Sequence, residues 1–420
     1  MSDEFDFMKE KIKDKPFYKK KWVQILCATV ALAVVFGAVS GYVFVKVHEF
    51  MEKKTAKEAM TSIEIPRDSE SDESAEEEMP ASEETSSGSE SIVINPEVTL
   101  EDYTIVYAKL RGLAKEARRS LVTVTAVNNG VDWFNEAYEN RGQSCGMIIG
   151  DNGLELLILT KYSMVQVCDG INVTFVDGTT VAGTLKKYDV TTDFAVVSVN
   201  LSDISETTKA RMMKANLGNS KRLDAGMPVM AVGMADGTID SLCVGILTSV
   251  QNRQSVVDGE YSILMTDMHR NAASDGVLIN LDGEVVGILQ QRYQSSNTQE
   301  VLSAYGISDV KSLLEHLSNN QDIAYLGIKG ISVTVEQQKN GVPEGIYVTE
   351  VDMDSPAMKG GIHAGDVIQA MNGQKVTAMS ELSDVLLRLS NKQNITLEGQ
   401  RLTKDGYKKM NYQTSLSVLE

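Results

Sequence analysis

The sequence predicts a mainly β protein: an N-terminal transmembrane helix, a pair of β-barrels and a C-terminal α+β domain. Three observations carry that prediction. An uncharged run fills residues 22–45, short strand patterns separated by turn residues recur from Leu121 to Leu289, and helical periods alternate with short strands beyond Ser308. A chain of 420 residues exceeds one ordinary domain, and 42% hydrophobic residues can build real cores. The formal charge of -18 excludes a nucleic-acid binder, which needs clustered Lys and Arg against phosphate. Much of that acidity is local: ten acids and no base lie from Asp68 to Glu90.

Residues 1–21 read as a cytoplasmic tail and 22–46 as a membrane anchor. At about 1.5 Å per residue the run from Trp22 to Val45 exceeds the roughly 30 Å of bilayer hydrocarbon. Trp22 and Tyr42 suit the two interfaces, and seven lysines precede the span, which puts the N-terminus inside and the bulk of the chain outside. The span is too long for a signal-peptide core and no A-x-A site follows it. Residues 47–98 then read as an acidic linker, Ser/Glu-rich and with almost nothing to bury between Glu64 and Ser91.

Residues 99–306 form the next unit. Thr99-Leu-Glu-Asp102 is a capping box opening a helix with Val106, Leu110, Leu113, Ala114 and Ala117 on one side. From Leu121 the period becomes that of strands, six up to Val199 and five more from Met227 to Leu289, with Asp177-Gly178 and Asp282-Gly283 as hairpin turns. Two such groups argue for two barrels with a site in the cleft between them. Cys145, Cys168 and Cys243 are an odd number outside the apolar run. They read as free, buried small hydrophobes, with a Cys145–Cys168 bridge as the alternative.

Three segments occur in a telling order: 157–165 around Thr160-Lys-Tyr-Ser163, 191–197 around Asp193, and 273–280 around Ser274. They sit where a chymotrypsin-type chain carries its His, Asp and Ser. With Leu217-Gly-Asn-Ser220, Pro228-Val-Met-Ala-Val-Gly233, Val244-Gly-Ile-Leu-Thr-Ser249 and Ile279-Asn-Leu-Asp-Gly-Glu-Val-Val-Gly-Ile288, they resemble the HtrA/DegP family of extracytoplasmic trypsin-fold serine proteases with C-terminal PDZ domains. The resemblance runs from about Ser120 to Leu419. It implies a trypsin-like double barrel, an aspartate at Asp193, a nucleophile at Ser274 and a homotrimer.

The departures bear on chemistry. Where the family has Thr-Asn-x-His-Val, this chain has Ser163 in the histidine position, and Gly-Asn-Ser-Gly-Gly becomes Ala272-Ala-Ser274-Asp275-Gly276. A serine hydroxyl takes no proton near neutral pH, and loss of the base of such a triad costs about six orders of magnitude in turnover. Asp275 adds a carboxylate beside the place where an oxyanion would form. Asp193 then needs a new partner, expected to be the Ser163 hydroxyl. His269 reads as a loop residue and Lys161 as an exposed lysine rather than as substitute bases.

Residues 307–420 comprise a connecting helix and a segment resembling a bacterial PDZ domain. Its marks are Gly345-Ile-Tyr-Val-Thr-Glu-Val351, Ser355-Pro-Ala357, Gly361-Ile-His-Ala-Gly-Asp366 and a helix over 380–389. Tyr325, Leu326, Gly327 and Ile328 match the loop whose backbone N–H groups hold a peptide's terminal carboxylate. The resemblance implies peptide or unfolded-protein C-termini as partners, alongside the lipid bilayer at 22–45. The expected function is a membrane-tethered, degenerate HtrA-like protease that binds peptides in envelope protein quality control. The alternative is an active serine endopeptidase using Ser274 with a non-standard base. No metal-ligand spacing or phosphate loop occurs, so neither metal nor cofactor is expected.

Overall fold

Residues 61–68, 99–131, 137–290 and 300–418 are described in a computed structural model of the chain. The tail at 1–21, the apolar run at 22–46 and most of the acidic segment lie outside the described residues. Among the described residues no helix is long and apolar enough to cross a membrane.

The first barrel closes through the strands β1 (Leu121–Val131), β2 (Ala137–Asp151), β3 (Glu155–Lys161), β4 (Gly170–Thr174), β5 (Thr180–Asp189) and β6 (Phe194–Asn200), in spatial order β1-β2-β3-β6-β5-β4. The second uses β7 (Pro228–Met234), β8 (Ser241–Val256), β9 (Gly259–His269), β10 (Asp275–Ile279), β11 (Val285–Gln290) and β12 (Val301–Gly306), in the order β10-β11-β12-β9-β8-β7. Closure removes sheet edges, and the continuous apolar runs in β3, β6, β7 and β10 follow from what their two faces touch. Leu156, Ile158, Ala195 and Val197 fill the first barrel, and Val229, Ala231 and Leu278 the second. Their neighbours Leu157, Leu159, Val196, Met230, Val232 and Ile279 pack in a shared core that joins the barrels.

A helix α1 (Leu100–Ala117) precedes the barrels. Thr99 and Asp102 form the expected capping box, with the Thr99 N–H donating to the Asp102 carboxylate at 2.8 Å. Of its expected inner side, Ala114 is buried and Leu110, Leu113 and Ala117 are half-buried, but Val106 is exposed because only the C-terminal half of the helix reaches the core. Strand β12 was not expected, since Val301-Leu-Ser-Ala-Tyr-Gly306 lacks flanking turn dipeptides; burial of Leu302 to Gly306 pairs it into the barrel. Cys145, Cys168 and Cys243 are free thiols, so no Cys145–Cys168 bridge forms.

One expectation is overturned within the linker. Residues 61–68 are packed: Ile63 and Ile65 are buried, the Asn319 side chain brackets Ile63 through both its N–H and its carbonyl, and Asp68 pairs with buried Lys311. Two isoleucines at a spacing of two suffice to bury one face of an extended segment.

The helix α2 (Ile307–Ser318) leads to a PDZ-like unit. Its strands are β13 (Ala324–Tyr325), β14 (Ile328–Ser332), β15 (Ile346–Val351), β16 (Asp366–Met371), β17 (Gln374–Lys375), β18 (Asn394–Thr403), β19 (Gly406–Ser415) and β20 (Ser417–Val418). Its main sheet runs β14-β15-β16-β18-β19, with helix α3 (Met379–Leu387) against the core through Met379, Leu382, Val385 and Leu386. Asp366 anchors this unit internally. Burial opposes its charge, but Arg401, the His363 N–H and the Tyr412 hydroxyl outweigh burial and hold the carboxyl below the usual range.

Candidate functional site

A cavity of about 630 Å³ is lined by both barrels, from Ser144, Cys145, Lys161, Ser163 and Asp193 to Ala272, Ala273, Asp275 and Gly276. The three chain segments singled out in the sequence therefore border one cleft. What they offer there is a set of hydrogen bonds already closed among themselves.

Asp193 ends the loop before β6 with its backbone in the left-handed region (φ 67), which aspartate tolerates better than most residues. Its carbonyl accepts the Tyr162 N–H at 2.8 Å, and its carboxylate accepts the Ser163 N–H and the Ser163 hydroxyl, both at 2.7 Å. The expected Ser163–Asp193 hydrogen bond is present. In place of an imidazole held by a carboxylate, the site has a hydroxyl held by a carboxylate, and a serine hydroxyl takes no proton near neutral pH.

Ser274 is fully buried. Its Oγ accepts the Asn271 N–H at 2.9 Å, its own N–H donates to the Asn271 carbonyl at 3.0 Å, and the Asn271 side chain accepts the Ala273 N–H at 2.8 Å. The segment 271–274 is thus a self-capped turn. In a trypsin-type site the N–H of the nucleophilic serine is one of two donors to the oxyanion. Here that donor points back into its own turn. His269, at the end of β9, is exposed.

Lys161 is not the solvent-facing lysine the sequence suggested. Its Nζ lies 3.1 Å from Asp275 Oδ1 and donates to the Ser274 carbonyl at 3.2 Å. Asp275 in turn accepts from the Ser144 hydroxyl at 2.6 Å and from the Cys145 N–H at 2.8 Å, with Thr160 donating to Ser144 behind it. A carboxylate replacing a glycine could enter this interior only with such partners, because an unpaired buried charge is far costlier than a paired one. Burial, reinforced by the neighbouring Asp275 charge, pushes the Cys145 thiol well up, so it stays protonated and unreactive. Gly276, which the resemblance retains, is required sterically: at φ 121 an added Cβ would lie 2.2 Å from the Val232 carbonyl oxygen. Sequence reasoning missed the Ser144–Asp275–Lys161 network, since Ser144 lies in no quoted motif, Lys161 reads as exposed, and both meet Asp275 only when the barrels pack.

In the C-terminal unit, Tyr325–Ile328 joins β13 to β14. Gly327 has φ 89, a conformation that glycine adopts without strain, and the N–H groups of Leu326, Gly327 and Ile328 converge on one point, occupied by the side chain of Asp258. Leu386 and Leu387 border the same place, whereas Leu382 and Val385 serve the core and Leu389 packs against it. Among the described residues no cluster of three or more His, Cys, Asp or Glu is arranged to hold a metal.

Residues 144–288 match the trypsin-like peptidase domain and residues 325–400 the PDZ domain. The chain is 31% identical over 267 residues to a probable periplasmic serine endoprotease DegP-like of Halomonas elongata, covering 62% of this chain and 54% of that protein. It is 24% identical over 308 residues to the serine protease Do-like HtrA of Bacillus subtilis, covering 69% and 66%. The chain thus spans about half to two thirds of the length of these relatives. Among solved structures, the HtrA-type protease AlgW with decapeptide shares the fold at 20% identity, with a TM-score of 0.54 over 75% of this chain and 99% of that one. Two closed barrels followed by a PDZ unit give this chain a trypsin-like peptidase domain and a C-terminal PDZ domain, and over that span it is similar to the HtrA/DegP proteases.

Proposed function

We propose that the chain is a membrane-tethered, extracytoplasmic HtrA-like protein whose protease site is degenerate and which binds peptide or unfolded-protein C-termini in envelope protein quality control. One observation carries the loss of catalysis. The base position holds Ser163, bonded to Asp193 at 2.7 Å, while both the hydroxyl and the N–H of Ser274 are bonded to Asn271. Base, nucleophile and one oxyanion donor are thereby all committed elsewhere. Peptide binding is supported by the convergent N–H groups of Leu326 to Ile328 and by the peptide in the AlgW structure. The uncharged run at 22–45 supports the tether, and the periplasmic relative supports an extracytoplasmic location.

One preparation tests both parts. The full-length chain, in membranes washed with alkaline carbonate, is treated with a fluorophosphonate probe alongside Ser274→Ala. The chain is expected to stay in the pellet and to take no label. Release by carbonate removes the tether; labelling that disappears in Ser274→Ala establishes an active endopeptidase with another base.

A further inference from the structure

The carboxylate-binding loop already holds a carboxylate, and it belongs to the same chain. At the turn between β8 and β9, the Asp258 side chain accepts the N–H of Leu326 at 2.7 Å, of Gly327 at 2.9 and 3.0 Å, and of Ile328 at 3.0 Å. The Asp258 N–H donates to the Ile328 carbonyl at 2.8 Å, and the Ser255 hydroxyl donates to the Gly330 carbonyl at 2.8 Å. A peptide bound in the PDZ manner uses the same two elements: a carboxylate captured by successive backbone N–H groups, and a backbone that adds to the adjacent strand. Asp258 supplies both, its side chain imitating the terminal carboxylate and its own N–H making the first strand bond.

The hairpin also fills the space beside that loop. Strand β8 packs on β14 and strand β9 on α3, so the turn enters between the strand and the helix that border the groove. Tyr261, Tyr325, Leu386 and Leu387 close around Asp258 and leave a cavity of only about 40 Å³. Sites for small ligands are usually about 300–1,000 Å³. Asp258 sits at φ 56, in the left-handed region, so the backbone is held in an uncommon conformation at the residue that makes these bonds.

We propose that the β8–β9 hairpin is an internal ligand of the PDZ domain, with Asp258 standing where the terminal carboxylate of a peptide binds, so that hairpin and peptide C-terminus compete for Leu326 to Ile328. The proposal rests on the reading that this domain binds peptide C-termini. An intramolecular competitor lowers apparent affinity by the fraction of molecules in which the loop is vacant. A peptide that wins the competition lifts the hairpin of the second barrel off the PDZ unit.

The test uses the full-length chain in detergent, as wild type, Asp258→Gly and Asp258→Asn. Glycine adopts the φ of this position freely and asparagine tolerates it, so both variants keep the turn. The probes are randomised fluorescein-labelled hexapeptides with free terminal carboxylates, and the same mixture amidated. Both variants are expected to bind the free-carboxylate probe at least tenfold more tightly than wild type, and none to bind the amidated one. Amide hydrogen exchange at Leu326, Gly327 and Ile328 is expected to be at least tenfold faster in the variants without peptide. Equal peptide affinity in wild type and variants, or unchanged exchange at those three amides, overturns the internal ligand. Faster exchange with no peptide bound by any protein keeps the internal contact and removes the peptide-binding reading instead.

Discussion

A lysine, an aspartate and a serine decide what the cleft contains. Lys161 and Asp275 form a largely buried pair whose side chains are 23% and 8% exposed, with Ser144 and the Cys145 N–H completing the carboxylate's bonds. Breaking one partner of such a pair leaves an uncompensated charge, so Lys161→Met is expected to lower stability by about 2–3 kcal/mol, part of the full buried-pair cost being relieved by water at the lysine end. Lys161→Met combined with Asp275→Gly, which removes the stranded carboxylate, is expected to regain most of that loss. Urea denaturation of the three proteins measures it; a Lys161→Met protein as stable as wild type would show that the pair contributes nothing. The departures at Ser163 and Asp275 are readings from the motifs alone. The orientation of Lys161 was not legible there, because its partner lies 114 residues away and comes from the other barrel.

At the scale of elements, local periodicity located eleven of the twelve barrel strands, and capping located α1. It failed where burial is decided by a distant surface. Strand β12 has no turn dipeptide to announce it, and Ile63 with Ile65 sits at the edge of an acidic run that by composition should be solvated. Ile63→Ala and Ile65→Ala are each expected to cost about 2–4 kcal/mol, the usual price of truncating a buried isoleucine, in urea unfolding of the full chain. A linker without packing would show no change. Arg67, within 3.7 Å of both Glu315 of α2 and Asp384 of α3, lies in the same segment and marks where it crosses from one unit to the next.

For the whole molecule, the contact between Asp258 and the PDZ loop links the second barrel to the proposed peptide site. Burial pushes the Asp258 carboxyl up to about 6, against the pull of the Ile328, Gly327 and Leu326 N–H groups, and the nearby Asp352 adds to the rise. Tyr261, Tyr325 and Asp189 are the other titratable groups around it. A carboxyl whose value is raised on docking holds its proton more tightly when docked. Its contribution is therefore fully present below about 4 and is lost as pH rises through about 6. Binding of the free-carboxylate probe by the wild-type chain is expected to strengthen about tenfold from pH 5 to pH 7, while Asp258→Gly shows no such rise. Fluorescence polarisation at the two pH values checks this, and a parallel dependence in both proteins would assign it to other groups. By itself the sequence determined the barrel pair and the PDZ unit, and it proposed Ser163, Asp193 and Ser274 for the three catalytic positions and Tyr325 to Ile328 for the carboxylate loop. These follow from periodicity, turn chemistry and motif order, which are local. Only the tertiary structure decided that Ser274 is tied to Asn271, that Lys161 faces Asp275, and that Val257-Asp258-Gly259, an ordinary hairpin turn in the sequence, carries the carboxylate held by Leu326, Gly327 and Ile328. Those pairings depend on how separate units pack, and a buried charge finds its partner by proximity in space, which spacing along the chain does not encode.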